Sequence, residues 1–276
     1  MNYKLSIICF VALLVPTSSF AKKTNFKLKE EMLRVMLRAV ADAQDTTEKR
    51  TLNDEFIQAF EETLKLQGAA KYSFKNLPYV YQITSPDKRL RIFTWSVPLL
   101  DKKYFFGFAM LRKNRWDSHP QVIPLREMTQ QPALTLQKKL LPNEWPGALY
   151  TKVLQQHNKA SQQTYYTLLG LRLANAAFGS KIIDVATIAG DTLAFGAPIF
   201  NQRNRKQNRV VFEYNPQAVI KLEYNNTLKK IIFTSLLPPA GAPRDARQLY
   251  LPDDSYDAFV WDGDCWMFEA DVKLPY

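Results

Sequence analysis

The sequence predicts a mainly β fold of the α+β class: an antiparallel hairpin meander or sandwich with a helical N-terminal segment. Three observations carry that reading. Short runs rich in β-branched and aromatic residues follow one another from residue 71 onward. Tight-turn sequences separate them, and helix-period patterning is confined to the residues before 71. Neighbouring strands joined by short turns pair antiparallel, whereas alternating strands and helices would predict a parallel sheet. The expected organisation is a signal peptide over 1–21, a helical segment over 22–70 and an antiparallel β domain over 71–276.

The leader is read from three features. Lys4 supplies a positive start, residues 5–15 an apolar run, and Ser19-Phe20-Ala21 small residues at the cleavage positions. The run is shorter than the ~20 residues a membrane-spanning helix needs. The mature chain is therefore expected to begin near Lys22 and to be periplasmic or secreted. Cleavage removes Cys9 and leaves Cys265 alone, so an intramolecular disulfide is not expected.

The elements follow in order. Residues 24–45 carry Leu28, Met32, Val35, Ala39 and Ala43 at three- and four-residue spacing between charged residues, the mark of an amphipathic helix. Thr24 or Asn25 can cap its start. A second helix is expected over 52–66, with Asn53 or Asp54 as cap, Phe56, Phe60 and Leu64 as its stripe, and Gly68 as terminator. Strands are expected over 80–84 and 89–95 around the turn Ser85-Pro86-Asp87-Lys88, and over 103–111. Residues 116–146, punctuated by proline, read as strand and loop, and 147–156 as a short helix. Residues 165–173, 181–188, 193–200 and 209–214 are strand-like, the last preceded by a basic loop over 201–208. Two hairpins close the chain, one turning at Asn225-Asn226 and the other at Asp262-Gly263.

Hydrophobic residues form 46% of the chain and aromatics 13%, which excludes a disordered protein. The net charge of +11 favours anionic partners. Behind an export leader these are envelope glycans or lipid headgroups and not nucleic acid. No other apolar stretch is long enough for a transmembrane helix. Arg203, Arg205, Lys206 and Arg209 crowd one loop and are the candidate anion-binding residues. Arg112, Lys113 and Arg115 make a second basic loop that the fold can bring to them. Asp253, Asp254 and Asp257 are candidate calcium ligands, because that cation takes clustered carboxylates. Their spacing is not that of an EF-hand, and aspartate also suits turns for local reasons.

No catalytic residue stands out. There are only two histidines, His119 and His157, and no Gly-x-Ser-x-Gly elbow. Zinc lacks an ordinary ligand set, and Cys265 reads as a small core residue. Glu144-Trp145, Glu213-Tyr214 and Glu223-Tyr224 set acids beside aromatics, which keeps a carboxylate-dependent glycan hydrolase as the alternative. Phe268, Ala270, Val272, Leu274 and Tyr276 alternate like the last strand of an outer-membrane barrel, although Pro275 opposes strand pairing.

A set of motifs adds a resemblance. They are Lys71-Tyr72-Ser73-Phe74, the run from Ser85 to Trp95, Gly147-Ala148-Leu149-Tyr150, Tyr165-Tyr166-Thr167-Leu168-Leu169-Gly170 and Lys181-Ile182-Ile183-Asp184-Val185. Phe195-Gly196-Ala197-Pro198-Ile199-Phe200, Arg209-Val210-Val211-Phe212-Glu213-Tyr214 and Pro252-Asp253-Asp254-Ser255-Tyr256-Asp257 complete it. In this order, over residues 52–269, the chain resembles a family of exported proteins found chiefly in Bacteroidetes. The resemblance implies export and carries no activity, substrate or catalytic residue. Leu251 stands before Pro252 where the family tends to have glycine. The expected function is non-catalytic binding of an anionic envelope component, a glycan or a lipid headgroup.

Overall fold

In a computed structural model of the chain, residues 24–100, 102–127, 137–172, 179–202 and 204–274 are described; the expected leader lies outside them. Helix α1 (Phe26–Asp42) begins where the Asn25 side chain accepts a hydrogen bond from the Leu28 N–H (3.1 Å). Helix α2 (Thr46–Lys65) begins at Asp45, whose carboxylate accepts from the Glu48 N–H (2.8 Å). That start lies well before residue 52, a correction with a simple cause. Asp45 supplies the capping oxygen, while Asn53 is buried mid-helix and accepts from the Trp95 indole N–H (3.0 Å). Gly68 ends the segment with φ +95°. Replacing Asp45 with alanine is expected to cost about 1 kcal/mol, read as a lower urea midpoint at unchanged m-value.

α1 is rotated against its expected orientation. Leu33, Leu37 and Val40 are buried, while Leu28, Met32 and Val35 are 67%, 40% and 57% exposed. The helix carries two adjoining apolar stripes, and its rotation selects one. Glu30 is buried beside the inward stripe and accepts from the Tyr72 hydroxyl (2.7 Å), the Asn76 N–H (2.8 Å) and the Asn76 side-chain amide (3.1 Å). Turning the other stripe inward would expose the leucines and pull this carboxylate from three donors.

Three sheets follow. The first is the meander β1 (Tyr81–Thr84), β2 (Leu90–Leu99), β3 (Lys102–Leu111) and β4 (Gln121–Arg126). The second pairs β5 (Leu149–His157), β6 (Thr164–Leu171) and β7 (Gly179–Ala189) antiparallel; β8 (Thr192–Phe195) and β11 (Val210–Tyr214) share the far edge of β7. The third orders β10 (Arg205–Gln207), β9 (Phe200–Gln202), β15 (Trp266–Glu269), β14 (Leu251–Trp261), β13 (Lys230–Leu237) and β12 (Leu222–Asn225); β15 and β9 are parallel. β5 corrects the helix expected over 147–156. Its partner β6 lies later in the chain, from Leu149↔Leu171 to His157↔Thr164, so local propensity yields to tertiary pairing.

The elements stack in four layers, helix pair, first sheet, second sheet, third sheet, with a core at each junction. Phe56, Phe60 and Leu37 pack on Phe93, Trp95 and Phe108. Ile92, Phe105 and Leu125 of the first sheet meet Tyr150, Leu168 and Phe195 of the second. Leu169, Ile183 and Val185 on its other side meet Phe233, Phe259 and Trp266 of the third. The expected mainly β architecture is therefore present, and its helices share a core with the first sheet.

The layers are also tied at one end. The Asp87 carboxylate in the β1–β2 turn accepts from the Tyr166 hydroxyl (2.7 Å), and the Asn158 amide donates to the Asp264 carbonyl (3.1 Å). After Glu269 the chain leaves the sheet, and Val272 packs on Ile232 and Ala258. The alternation toward Leu274 is thus not a continuing strand, and Tyr276 lies outside the described residues. Among the described residues no helix is long and apolar enough to cross a membrane.

Candidate functional site

Two cavities follow one another along the line where α1 meets the segment leading into β1. Their walls adjoin at Leu37 and Arg38 on the helix and at Pro78 and Tyr79 opposite. The first cavity, about 480 Å³, is lined by Lys27, Arg34, Arg38 and Lys75 with Glu30, Glu31 and residues 76–78. The second, about 610 Å³, is lined by Leu37, Val40 and Ala41 of α1, Tyr79, Val80 and Tyr81, and Trp95, Val97, Pro98 and Leu149; Lys49 is the one ionic side chain on its wall. One seam therefore passes from a polar, cationic half to an apolar half.

The carboxylates of the cationic half are already engaged. Glu30 holds its three donors. Glu31 is bonded to Arg34, whose Nε donates at 2.9 Å; this bond draws the Glu31 carboxyl below its usual range and the guanidinium above. Lys27, Arg38 and Lys75 form no ion pair among the described residues. They leave the groove net positive.

The opposite wall is pinned. Arg91 donates to the Tyr72 carbonyl (2.6 Å), the Ser73 carbonyl (2.6 Å) and Gln82 Oε1 (2.7 Å), and its guanidinium lies 4.6 Å from the Phe93 ring centroid. Burial lowers its pKa to about 10, so it stays cationic at neutral pH. The hydrogen bond to Glu30, with burial added, raises the pKa of the Tyr72 phenol, which remains a neutral donor. The seam is thus held on both sides by buried polar contacts.

A third cavity, about 410 Å³, lies on the other flank of the helix pair. It is lined by Asp54, Ile57 and Glu61 of α2 and by Trp95, Lys102, Tyr104, Phe106 and Glu127 among the sheet residues. Glu127 accepts from the Phe105 N–H (2.9 Å) and fits under Gly147, whose φ is +73° and whose added Cβ would stand 2.9 Å from Glu127 Cγ. Burial raises the Glu127 pKa against that hydrogen bond and the charges of Lys102 and Arg172. Of the adjacent acid–aromatic pairs in the sequence, Glu144-Trp145 comes beside this cavity through the backbone bridge of Trp145 to Glu127, but none of the three acids lines it. Trp145 and Tyr214 are buried, and Glu223 pairs with Lys221 (3.0 Å).

The residues expected to bind an anion are dispersed. Arg205 and Lys206 are exposed on β10, at the edge of the third sheet, and Arg203 lies outside the described residues. Arg209 is fully buried, and its Nε pairs with Asp184 Oδ1 at 3.1 Å. This removes it from any surface site. Its guanidinium also donates to the Lys138 carbonyl (3.2 Å), and the carboxylate it neutralises sits in the apolar strand β7. Arg112 is likewise buried, donating to the carbonyls of Asp117 and Arg115. Its loop belongs to the first sheet and β10 to the third, with the second sheet between them.

The calcium expectation is corrected too. Asp253 accepts from the Ser255 N–H (3.0 Å), the Ser255 hydroxyl (2.8 Å) and the Ser235 hydroxyl (3.2 Å), while Asp257 accepts from the Asp271 N–H (3.1 Å). Asp254 has φ +63° at an irregular point of β14. Local hydrogen bonds occupy the Asp253 and Asp257 carboxylates, and Asp254 takes part through its backbone conformation at the bulge. No group of three or more His, Cys, Asp or Glu side chains converges as a metal site among the described residues.

Among the described residues the histidines form no hydrogen-bonded triad. His119 is exposed beside its neighbour Ser118 (3.1 Å), and Asp117 accepts from its backbone N–H, not its ring. The Cys265 thiol is buried, and burial together with the nearby Asp262 raises its pKa, which opposes a reactive thiolate. Compared with protein-family models, curated proteins and solved structures, the chain matches none.

Proposed function

We propose that this protein, exported and trimmed of its leader, binds an anionic amphiphile of the cell envelope along the α1 seam without converting it. One observation carries the reading: cationic and apolar cavities of about 480 and 610 Å³ lie along the same two elements, α1 and residues 75–81. A phosphate or carboxylate headgroup suits Lys27, Arg38 and Lys75. An acyl chain suits the apolar half, where burying each methylene contributes about 0.8 kcal/mol. The seam is built from α1 and the start of the β domain, and the loop at 201–208 contributes no residue to it.

The test is titration of short-chain phosphatidylglycerol and phosphatidylcholine of equal chain length, below their micellar concentrations. Affinity for the acidic lipid is expected to be at least tenfold higher, about 1.4 kcal/mol, and to weaken with salt. Ala41→Trp, filling the apolar half from an exposed helix position, is expected to lower affinity for both lipids at least tenfold. Equal affinities, or no effect of A41W, would refute the reading. The Glu127 cavity favours a second reading, the carboxylate-dependent hydrolase. In that case Glu127→Gln would abolish release of reducing ends from an envelope glycan and leave lipid binding unchanged.

A further inference from the structure

We propose that the outward face of α1 docks the protein on an anionic lipid bilayer. This goes beyond the ligand reading, since its apolar stripe lies outside the seam, although its cations Lys27, Arg34 and Arg38 also line the cationic half. Leu28, Met32 and Val35 recur at four- and three-residue spacing, which aligns them on one stripe of a helix. They are the exposed large apolar side chains of α1, and the stripe continues to Ala39 over roughly 16 Å at 1.5 Å per residue.

A row of cations runs beside it. Lys27, Arg34 and Arg38 each immediately precede a member of the apolar row, Leu28, Val35 and Ala39. An apolar stripe edged by Lys and Arg is the arrangement of a helix lying in a membrane interface, apolar side in the acyl boundary and cations among headgroup phosphates. Of the acids on this side, Glu31 is engaged by Arg34, and Asp42 stands at the last position of the helix.

Charge decides between occupants. A second copy would bring another strongly basic chain (+11 over the full sequence) to the same face, whereas an anionic bilayer brings the opposite sign. Docking would also set the seam, which shares α1, beside the source of its amphiphile.

The experiment is co-sedimentation of the purified mature protein with vesicles of equal parts phosphatidylglycerol and phosphatidylethanolamine, and with vesicles of phosphatidylcholine. Partitioning into the anionic vesicles is expected to be at least tenfold stronger, and Leu28→Glu with Val35→Glu is expected to reduce it at least tenfold. Both positions are exposed, so the double variant should keep the parent's circular dichroism and urea midpoint. Equal partitioning into the two vesicle types, or a double variant that partitions like the parent, would overturn the proposal. So would a parent dimer that the double variant dissociates. Short-chain phosphatidylglycerol binding measured without vesicles separates the two ideas. Retained in the double variant, it shows that only docking was removed; A41W is expected to lose it and still sediment.

Discussion

Replacing Asp184 with alanine is expected to destabilise the protein by about 3–5 kcal/mol, the cost of breaking a buried ion pair by removing one partner. Asp184 in β7 and Arg209, just before β11, are both fully buried. The carboxylate also accepts from the Val185 N–H (2.9 Å) and the Tyr150 hydroxyl (3.1 Å), and that hydroxyl accepts from the Trp145 indole (3.1 Å). Burial, reinforced by the Asp184 charge, holds the Tyr150 phenol well above its usual pKa, so it remains a donor. Alanine would strand a hydroxyl and remove the counter-charge of a guanidinium in an apolar layer. The double replacement Asp184→Leu with Arg209→Met should recover most of the loss, because neither charge then remains to be desolvated. Urea unfolding of the three proteins measures this. A loss below about 1 kcal/mol for D184A would show that the pair is not desolvated as described.

Phe60→Ala is expected to cost a similar amount, about 3–5 kcal/mol, through cavity formation. Phe60 is fully buried and meets Phe56, Phe74, Phe93, Trp95 and Phe108 at centroid distances of 5.2–6.2 Å. The rings belong to α2, the segment after it and two strands, so the void would open at the junction of helix pair and sheet. Phe60→Leu keeps most of the volume and should cost less than half as much. Because Trp95 lies under the apolar half of the seam, F60A should weaken amphiphile binding as well as stability, while D184A, one layer away, should leave binding by the folded fraction unchanged. Unfolding and titration of both variants separate the two effects.

Much of the fold was legible because the signals are local. Ser85-Pro86-Asp87-Lys88 turns as expected, with the Lys88 N–H donating to the Ser85 carbonyl (2.9 Å). Asp262-Gly263 turns with Gly263 at φ +113°. The strands flanking the first, expected over 80–84 and 89–95, run over Tyr81–Thr84 and Leu90–Leu99. The misreadings share a cause as well. The residues over 147–156 fit helix or strand equally until β6 offers a ladder. Arg209 looks solvated in a basic run until Asp184 claims it. A signal for that pair existed: an aspartate inside Lys181-Ile182-Ile183-Asp184-Val185 needs a buried partner. Of the seam, Lys27, Arg38 and Lys75 were visible only as scattered charge.

What the amino-acid order determined alone is whatever a few consecutive residues decide: turn positions, strand alternation, the cap at Asn25 and the predominance of β structure. Those choices depend on backbone dihedrals and near-neighbour hydrogen bonds. Tertiary structure decided the rotation of α1, the burial of Arg209 and the meeting of a cationic with an apolar cavity. Each rests on contacts between residues far apart in the chain, Glu30 with Asn76, Asp184 with Arg209, Leu37 with Phe60's aromatic cluster, and desolvation is settled only when such partners are in place.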